Sequence, residues 1–369
     1  MLYVEEEILT HPRTLLIRGR FPDDEMIPCA RYGEVFNRRA QSFRLQKRRP
    51  SLILARKHRN FVLDAPPGFG IPETKSLYFS HMLNCIYDCR YCFLQGMFRS
   101  ANYVVFVNFE DFQWEIEAKI RAARGGSGGS GANGARNGDA LPLFFFSGYD
   151  CDSLALEPVT RFAATFVPFF ARFPDAFLEL RTKSTQIKSL LDIDAVPNVV
   201  AAWSFTPEEV AEVTEHLTPS VDRRLRAMSR LAERGWRLGL RFDPLIYDRS
   251  YRERYRNLFA QVFSTVPVAS LHSVSVGPFR LSDSAFRTVV RLYPEEPLFA
   301  APMAEDGGGV TYPRDLEQEM VETVTADLLS HIPREIFFPA LSTPPAGSRE
   351  RETGSGTAAY EERPSGDDA

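Results

Sequence analysis

The chain has 369 residues with 44 Lys and Arg against 48 Asp and Glu, and a formal charge of −4 excludes both a nucleic-acid-coating polycation and an acidic disordered tail. A composition of 44% hydrophobic and 25% charged residues is that of an ordinary globular protein, long enough for one large α/β barrel or roughly two to three average domains. No run approaches the roughly 18 apolar residues of a membrane span, and the opening Met1-Leu2-Tyr3-Val4-Glu5-Glu6-Glu7 lacks a basic segment followed by an apolar one, so no membrane association and a cytoplasmic location are expected.

Residues 1–70 read as an N-terminal α/β extension with short strand candidates at 14–17 and 52–55. Between Arg38 and Arg59 stand nine Lys or Arg and no acid, either a solvated surface or a phosphate-facing patch. Over 71–340, apolar strand candidates at 76–83, 143–148, 176–183, 198–205, 236–246 and 271–279 alternate with helical spacing at 109–123, 158–173, 185–191, 219–234 and 252–263. Successive βα units predict a parallel sheet, and six strands suit an open, partial (β/α)6 barrel, although periodicity alone does not separate that from a doubly wound sheet. The stretch 125–138 (GGSGGSGANGARNG) reads as a flexible insertion, and 341–369 as a disordered tail rich in Pro, Gly, Ser and charge. A second Arg-rich stretch, Asp222 to Arg256, carries eleven Arg against five acids, as a basic face or as solvated and internally paired side chains.

Three of the five cysteines, Cys85, Cys89 and Cys92, form a C-x3-C-x2-C run after the first predicted barrel strand. Such crowding is poor geometry for disulfides and points to a metal, a cluster or catalysis. Three thiolates on a short loop can hold three irons of a [4Fe–4S] cube and leave the fourth iron open. Zinc completed by His81 or a distant cysteine is the competing reading, although the second ligand pair usual for structural zinc is missing from the sequence. The run resembles the cluster loop of the radical S-adenosylmethionine (SAM) superfamily, which implies a partial barrel, a [4Fe–4S] cluster and SAM as cofactors, and a 5′-deoxyadenosyl radical that abstracts hydrogen from substrate.

The likeness narrows further along the chain. Cys92-Phe93-Leu94-Gln95, Asp152-Ser153-Leu154-Ala155-Leu156-Glu157, Leu180-Arg181-Thr182-Lys183-Ser184, Trp203-Ser204-Phe205-Thr206-Pro207-Glu208-Glu209 and Arg241-Phe242-Asp243-Pro244 resemble, in order and spacing, the motifs of the spore photoproduct lyase family. This resemblance implies that Cys85, Cys89 and Cys92 bind the cluster. It also implies that Tyr91, Phe93, Ser147, Gly148, Lys183 and Ser204 surround SAM, with Gly148 allowing close approach to the backbone. Asp152 is expected near the substrate or as a helix N-cap. The family's hydrogen-donating cysteine is replaced by Tyr149, and Cys151, two residues on, is either a displaced donor on the same face of an extended segment or a small buried hydrophobe. The expected function is repair of a thymine photoproduct in DNA, with flavodoxin or ferredoxin as electron donor. The alternatives are radical SAM chemistry on a non-DNA substrate and a non-catalytic metal-binding nucleic-acid module.

Overall fold

The computed structural model describes residues 1–66, 68–125 and 141–340. The N-terminal third runs through β1 (Leu2–Glu5), α1 (Pro12–Arg18), β2 (Met26–Cys29), α2 (Phe43–Arg48), β3 (Leu52–Ala55), β4 (Leu63–Asp64), β5 (Lys75–Tyr78), β6 (Met82–Leu83), β7 (Asp88–Cys89) and β8 (Tyr103–Phe106). After α3 (Phe109–Gly125) come β9 (Leu143–Phe146), α4 (Glu157–Thr160), α5 (Phe162–Phe170), β10 (Ala176–Thr182), α6 (Lys188–Leu191), β11 (Val199–Ser204), α7 (Glu208–Thr214) and β12 (Glu215–His216). The chain continues through α8 (Val221–Glu233), β13 (Arg237–Leu245), α9 (Tyr251–Thr265), β14 (Leu271–Pro278), β15 (Leu281–Ser282), α10 (Asp283–Leu292), β16 (Ala304–Asp306), β17 (Gly309–Thr311), α11 (Arg314–Leu328) and β18 (Phe337–Pro339).

The larger sheet has the order β18-β14-β13-β11-β10-β9-β5-β4, and all its pairs are parallel except β4 with β5. It is the curled half-barrel expected of successive βα units. Strand β11 is buried at every position, as a parallel strand covered on both faces must be. Helix α8 shows how the covering works: Val221, Arg224, Leu225, Met228 and Leu231 recur at three- and four-residue spacing on its buried face, and the Ser220 side chain caps its start by accepting from the Arg223 amide. A second sheet, ordered β2-β1-β3-β8-β6, draws strands from both sides of residue 70 and packs beside the half-barrel.

Several expectations change. Residues 14–17 lie in helix α1 rather than in a strand, because Pro12 at the first helical position and the His11 cap start a helix there. The single strand expected at 76–83 breaks at Phe79-Ser80-His81, so β5 joins the half-barrel while β6 pairs antiparallel with β8 in the other sheet. The cysteine loop therefore leaves from β6 and not directly from the first barrel strand. The helix expected at 158–173 is two helices, divided at Arg161 with φ of 52°. Strand β18 adds a parallel strand beyond the expected six, and α7, α10 and the β16–β17 hairpin were not anticipated. The insertion expected at 125–138, apart from Gly125, and the tail expected at 341–369 lie outside the described residues.

Candidate active site

Parallel βα units gather ligands at the carboxyl ends of their strands, where the loops diverge. Here those ends deliver Gly148 after β9, Lys183 after β10, Ser204 at the end of β11, Asp243 in β13 and Gly277 in β14 to one cavity of about 410 Å³. Cys85, Cys89 and Cys92 line the same cavity, with Tyr91 and Phe93 between and beyond them. Its size is in the range of small-molecule sites.

The cysteine loop is fixed from outside itself. Asn84 turns the chain at φ of 67° and donates through its side-chain amide to the carbonyls of Ser100 (2.8 Å) and Asn102 (2.7 Å). Lys47 of α2 donates to the Cys85 carbonyl (2.7 Å) and the Tyr87 carbonyl (2.9 Å). Strand β7, which contains Cys89, pairs antiparallel with β12. Burial pushes the Cys85 thiol up to about 12 and raises those of Cys89 and Cys92 as well, so the three sulfurs become thiolates only where a bound cation compensates.

The placement of the sulfurs bears on the zinc reading. Thiolates around one tetrahedral zinc lie about 3.8 Å apart. Among the described residues, the one trio of metal-capable side-chain atoms within 4.8 Å of one another is Glu5, Glu7 and His58, away from the cysteines. In that trio Glu7 and His58 are already bonded to Arg31. His81, the fourth zinc ligand considered from sequence, is buried and stacked flat on Phe162 at 3.7 Å between ring centroids, outside the cavity lining. Burial lowers its pKa to about 3 and keeps it neutral. As placed, the three sulfurs do not all lie within 4.8 Å of one another, so they do not surround a single tetrahedral ion.

Beside the cysteines lies a buried charge network that sequence reading missed. The Glu215 carboxylate accepts from the Tyr91 hydroxyl, from Thr206 Oγ1 (3.0 Å) and from Arg224 Nη2 (2.5 Å), and Lys183 Nζ stands 3.7 Å away. Arg224 also donates to the Ser204 carbonyl (3.2 Å). Burial alone would raise the Glu215 carboxyl, but Arg224, Lys183 and Tyr91 hold it down to about 2. Glu215 thus joins the cysteine loop, Lys183 and the end of β11 into one unit. No spacing rule connects it to Cys89, because the link is a strand pairing across 126 positions. The eleven-arginine stretch gave a partial signal, since Arg224 and Arg241 are its buried, internally paired members.

A second wall is built on the β9 loop, which meets the cysteine loop where Tyr149 packs on Phe93. Ser147 is fully buried but does not line the cavity; its hydroxyl meets that of Ser153 (2.8 Å) and donates to the Glu179 carbonyl (2.9 Å). Gly148 does line it, and a Cβ there would meet the Arg181 carbonyl at 2.8 Å and the Ser153 hydroxyl at 2.9 Å. Packing against β10 already demands glycine at this position, before any ligand is considered. Asp152 accepts from the amides of Leu154 (3.0 Å) and Ala155 (2.9 Å), from Thr182 Oγ1 (2.6 Å) and from the Lys183 amide (2.6 Å). It lines the cavity and holds the turn at 153–156 rather than capping a helix, since α4 starts only at Glu157 with Leu156 as its N-cap, and it also fixes the backbone from which Lys183 projects.

Residues 147–152 bend rather than run extended, and this separates the two donor candidates. Tyr149 sits among Phe69, Tyr78 and Phe93 at centroid distances of 5.0, 4.7 and 5.4 Å. Cys151 borders the cavity but packs with Met82, Val105 and Val107 of the second sheet, its thiol directed to the Ser147 carbonyl at 3.7 Å. Arg181, also unanticipated, pairs with Glu179 (2.9 Å) and lies over the Phe69 ring at 4.5 Å. Glu179 accepts in turn from Arg241 (2.7 Å), a second buried Glu–Arg pair.

A family model described as spore photoproduct lyase matches residues 136–303. Over this segment the chain is similar to spore photoproduct lyases. Spore photoproduct lyase of Bacillus subtilis (strain 168) is 22% identical over 219 residues, which are 58% of this chain and 59% of the relative's length. Among solved structures, a spore photoproduct lyase double mutant with bound AdoMet and dinucleoside spore photoproduct superposes with a TM-score of 0.75 at 18% identity, covering 93% of this chain and 98% of the other. A spore photoproduct lyase complexed with dinucleoside spore photoproduct gives the same score and identity over 92% and 97%. The half-barrel and its neighbouring sheet are thus the spore photoproduct lyase fold, as the motif resemblance implied.

Proposed function

We propose that the protein is a radical SAM enzyme of spore photoproduct lyase type, with Cys85, Cys89 and Cys92 holding a [4Fe–4S] cluster. The observation that carries this reading is the arrival of three thiols, Lys183, Ser204 and Gly148 at one cavity on the carboxyl ends of the parallel strands. When bound, the cluster and SAM would supply an electron and a 5′-deoxyadenosyl radical for hydrogen abstraction. Lys183 offers a cation for the SAM carboxylate, and Glu215 holds that cation in place. Ser204 offers a polar rim, and Tyr91 and Phe93 supply aromatic walls beside the cysteines.

For substrate, the reading favours a thymine photoproduct in DNA, extruded from the stack at a cost of a few kcal/mol. Phe69 and Tyr149, with Tyr78 packed against Tyr149, form an aromatic wall for flat pyrimidine rings, and Arg181 and Arg280 bring cations to the cavity for phosphate. The solved relatives' complexes with dinucleoside spore photoproduct support this class. A second reading, radical chemistry on a different substrate, is favoured by Tyr149 at the position of the family's donor thiol and by the turn of Cys151 toward the second sheet.

The test is anaerobic reconstitution with iron and sulfide, reduction with dithionite, and measurement of 5′-deoxyadenosine with and without lesion-containing oligonucleotide. Restored thymines are the expected result. SAM cleavage without thymine formation selects the second reading, and about one zinc with no sulfide selects the non-catalytic module.

A further inference from the structure

Helix α2 lies on the cysteine loop by direct bonds, since Lys47 donates to the carbonyls of Cys85 and Tyr87 and Gln46 accepts from the Ala101 amide (2.9 Å). The outer side of this helix and its surroundings is unlike the rest of the acidic chain. Arg48 and Arg49 at the end of α2, Arg38 and Arg39 in the loop before it, and Arg99 beyond the cysteine loop are all exposed. Asn37 accepts from the Arg99 amide (2.8 Å), and Phe36 packs on Phe98 at 4.9 Å, so these segments are contiguous. Among the described residues no acidic side chain pairs with any of those five arginines; only Arg44 of the helix is paired, to Glu295. Leu45, on the same helix as Arg48, has 63% of its surface exposed.

We propose that this face is the docking site of an acidic one-electron carrier that reduces the cluster. The inference rests on the function proposed above. The carrier loses one electron and the thiolate-held group gains it, with no bond made or broken. An exposed leucine on a helix that ends in unpaired arginines is the composition of a small, transient interface: the charges steer an acidic partner and the apolar side chain holds it briefly. The helix that bears the patch is bonded to the backbone of Cys85 itself, so a carrier docked here stands beside the cysteine loop. A phosphate backbone has no use for Leu45 within its footprint.

The experiment compares reconstituted wild-type protein with a Leu45→Asp/Arg48→Glu/Arg49→Glu variant, measuring 5′-deoxyadenosine formation driven by reduced flavodoxin or by dithionite. With flavodoxin the variant is expected to fall at least about tenfold, whereas with dithionite, which needs no docking face, it stays within about twofold. Raising salt from about 50 to about 300 mM should slow the flavodoxin-driven reaction of the wild type and spare the dithionite-driven one. A flavodoxin rate unchanged in the variant overturns the docking site, and so does an equal loss with both reductants, which would make α2 a support of the loop. Loss of duplex oligonucleotide binding with the flavodoxin rate intact also overturns it and makes the face a nucleic-acid surface. Wild-type protein that retains a full cluster yet cleaves SAM with neither reductant overturns the proposed function, and the docking site with it.

Discussion

The two walls of the cavity are anchored alike and lined differently. Each stands on a fully buried Glu–Arg pair, Glu215 with Arg224 behind the cysteine loop and Glu179 with Arg241 behind the β9 loop. The first wall surrounds its sulfurs with cationic and hydrogen-bonding groups, Lys47, Lys183 and Tyr91. The second presents the aromatic rings of Phe69 and Tyr149, backed by Tyr78, with Arg181 laid over Phe69. The difference divides the labour: one wall suits an anionic metal group and a charged cofactor, the other a flat organic substrate. Buried ion pairs contribute little net stability, but removing one partner leaves an uncompensated charge, so each pair holds its wall in a single arrangement.

The comparison breaks most completely at the cysteines. Cys89→Ala should abolish both iron retention and 5′-deoxyadenosine formation, read by iron and sulfide analysis together with product assay, while leaving the aromatic wall folded. Glu215→Ala comes next, because it strands Arg224 and Lys183; a loss of about 3–5 kcal/mol in urea unfolding is expected, with weaker SAM binding. If stability is unchanged, the cysteine wall does not rest on Glu215.

Glu179 sharpens the comparison through pH. Burial would raise its carboxyl, but Arg241 and Arg181 hold it down to about 2, below the unfolded value of 4.5. Its contribution is therefore fully present above about pH 4.5 and is lost as pH falls toward 2. The stability gap between wild type and Glu179→Gln should be constant from pH 7 to about 5 and narrow on further acidification. A gap independent of pH would mean that packing, not charge, holds the second wall.

The smallest effect is expected at Cys151. As a buried side chain among Met82, Val105 and Val107, its truncation in Cys151→Ala should cost about 1 kcal/mol and leave product formation unchanged. Loss of product with SAM cleavage intact would instead place this thiol in the reaction.

The sequence determined the elements whose causes are local. The C-x3-C-x2-C spacing brings three thiols onto one loop, the alternation of apolar strands and helical faces specifies parallel βα units, and Lys183 and Ser204 fall at strand ends because β10 and β11 end there. Only the tertiary structure decided what long-range pairing brings together. Glu215 reaches Cys89 through the β7–β12 ladder, and Lys47 reaches the Cys85 carbonyl from a separate helix. The bend at 147–152 sends Tyr149 to one set of neighbours and Cys151 to another, where a period-two reading puts them on the same face. Spacing along the chain fixes which side chains share a loop or a face. Which buried charges meet depends on how separate elements pack, because a buried carboxylate is stable only where distant cations are delivered to it.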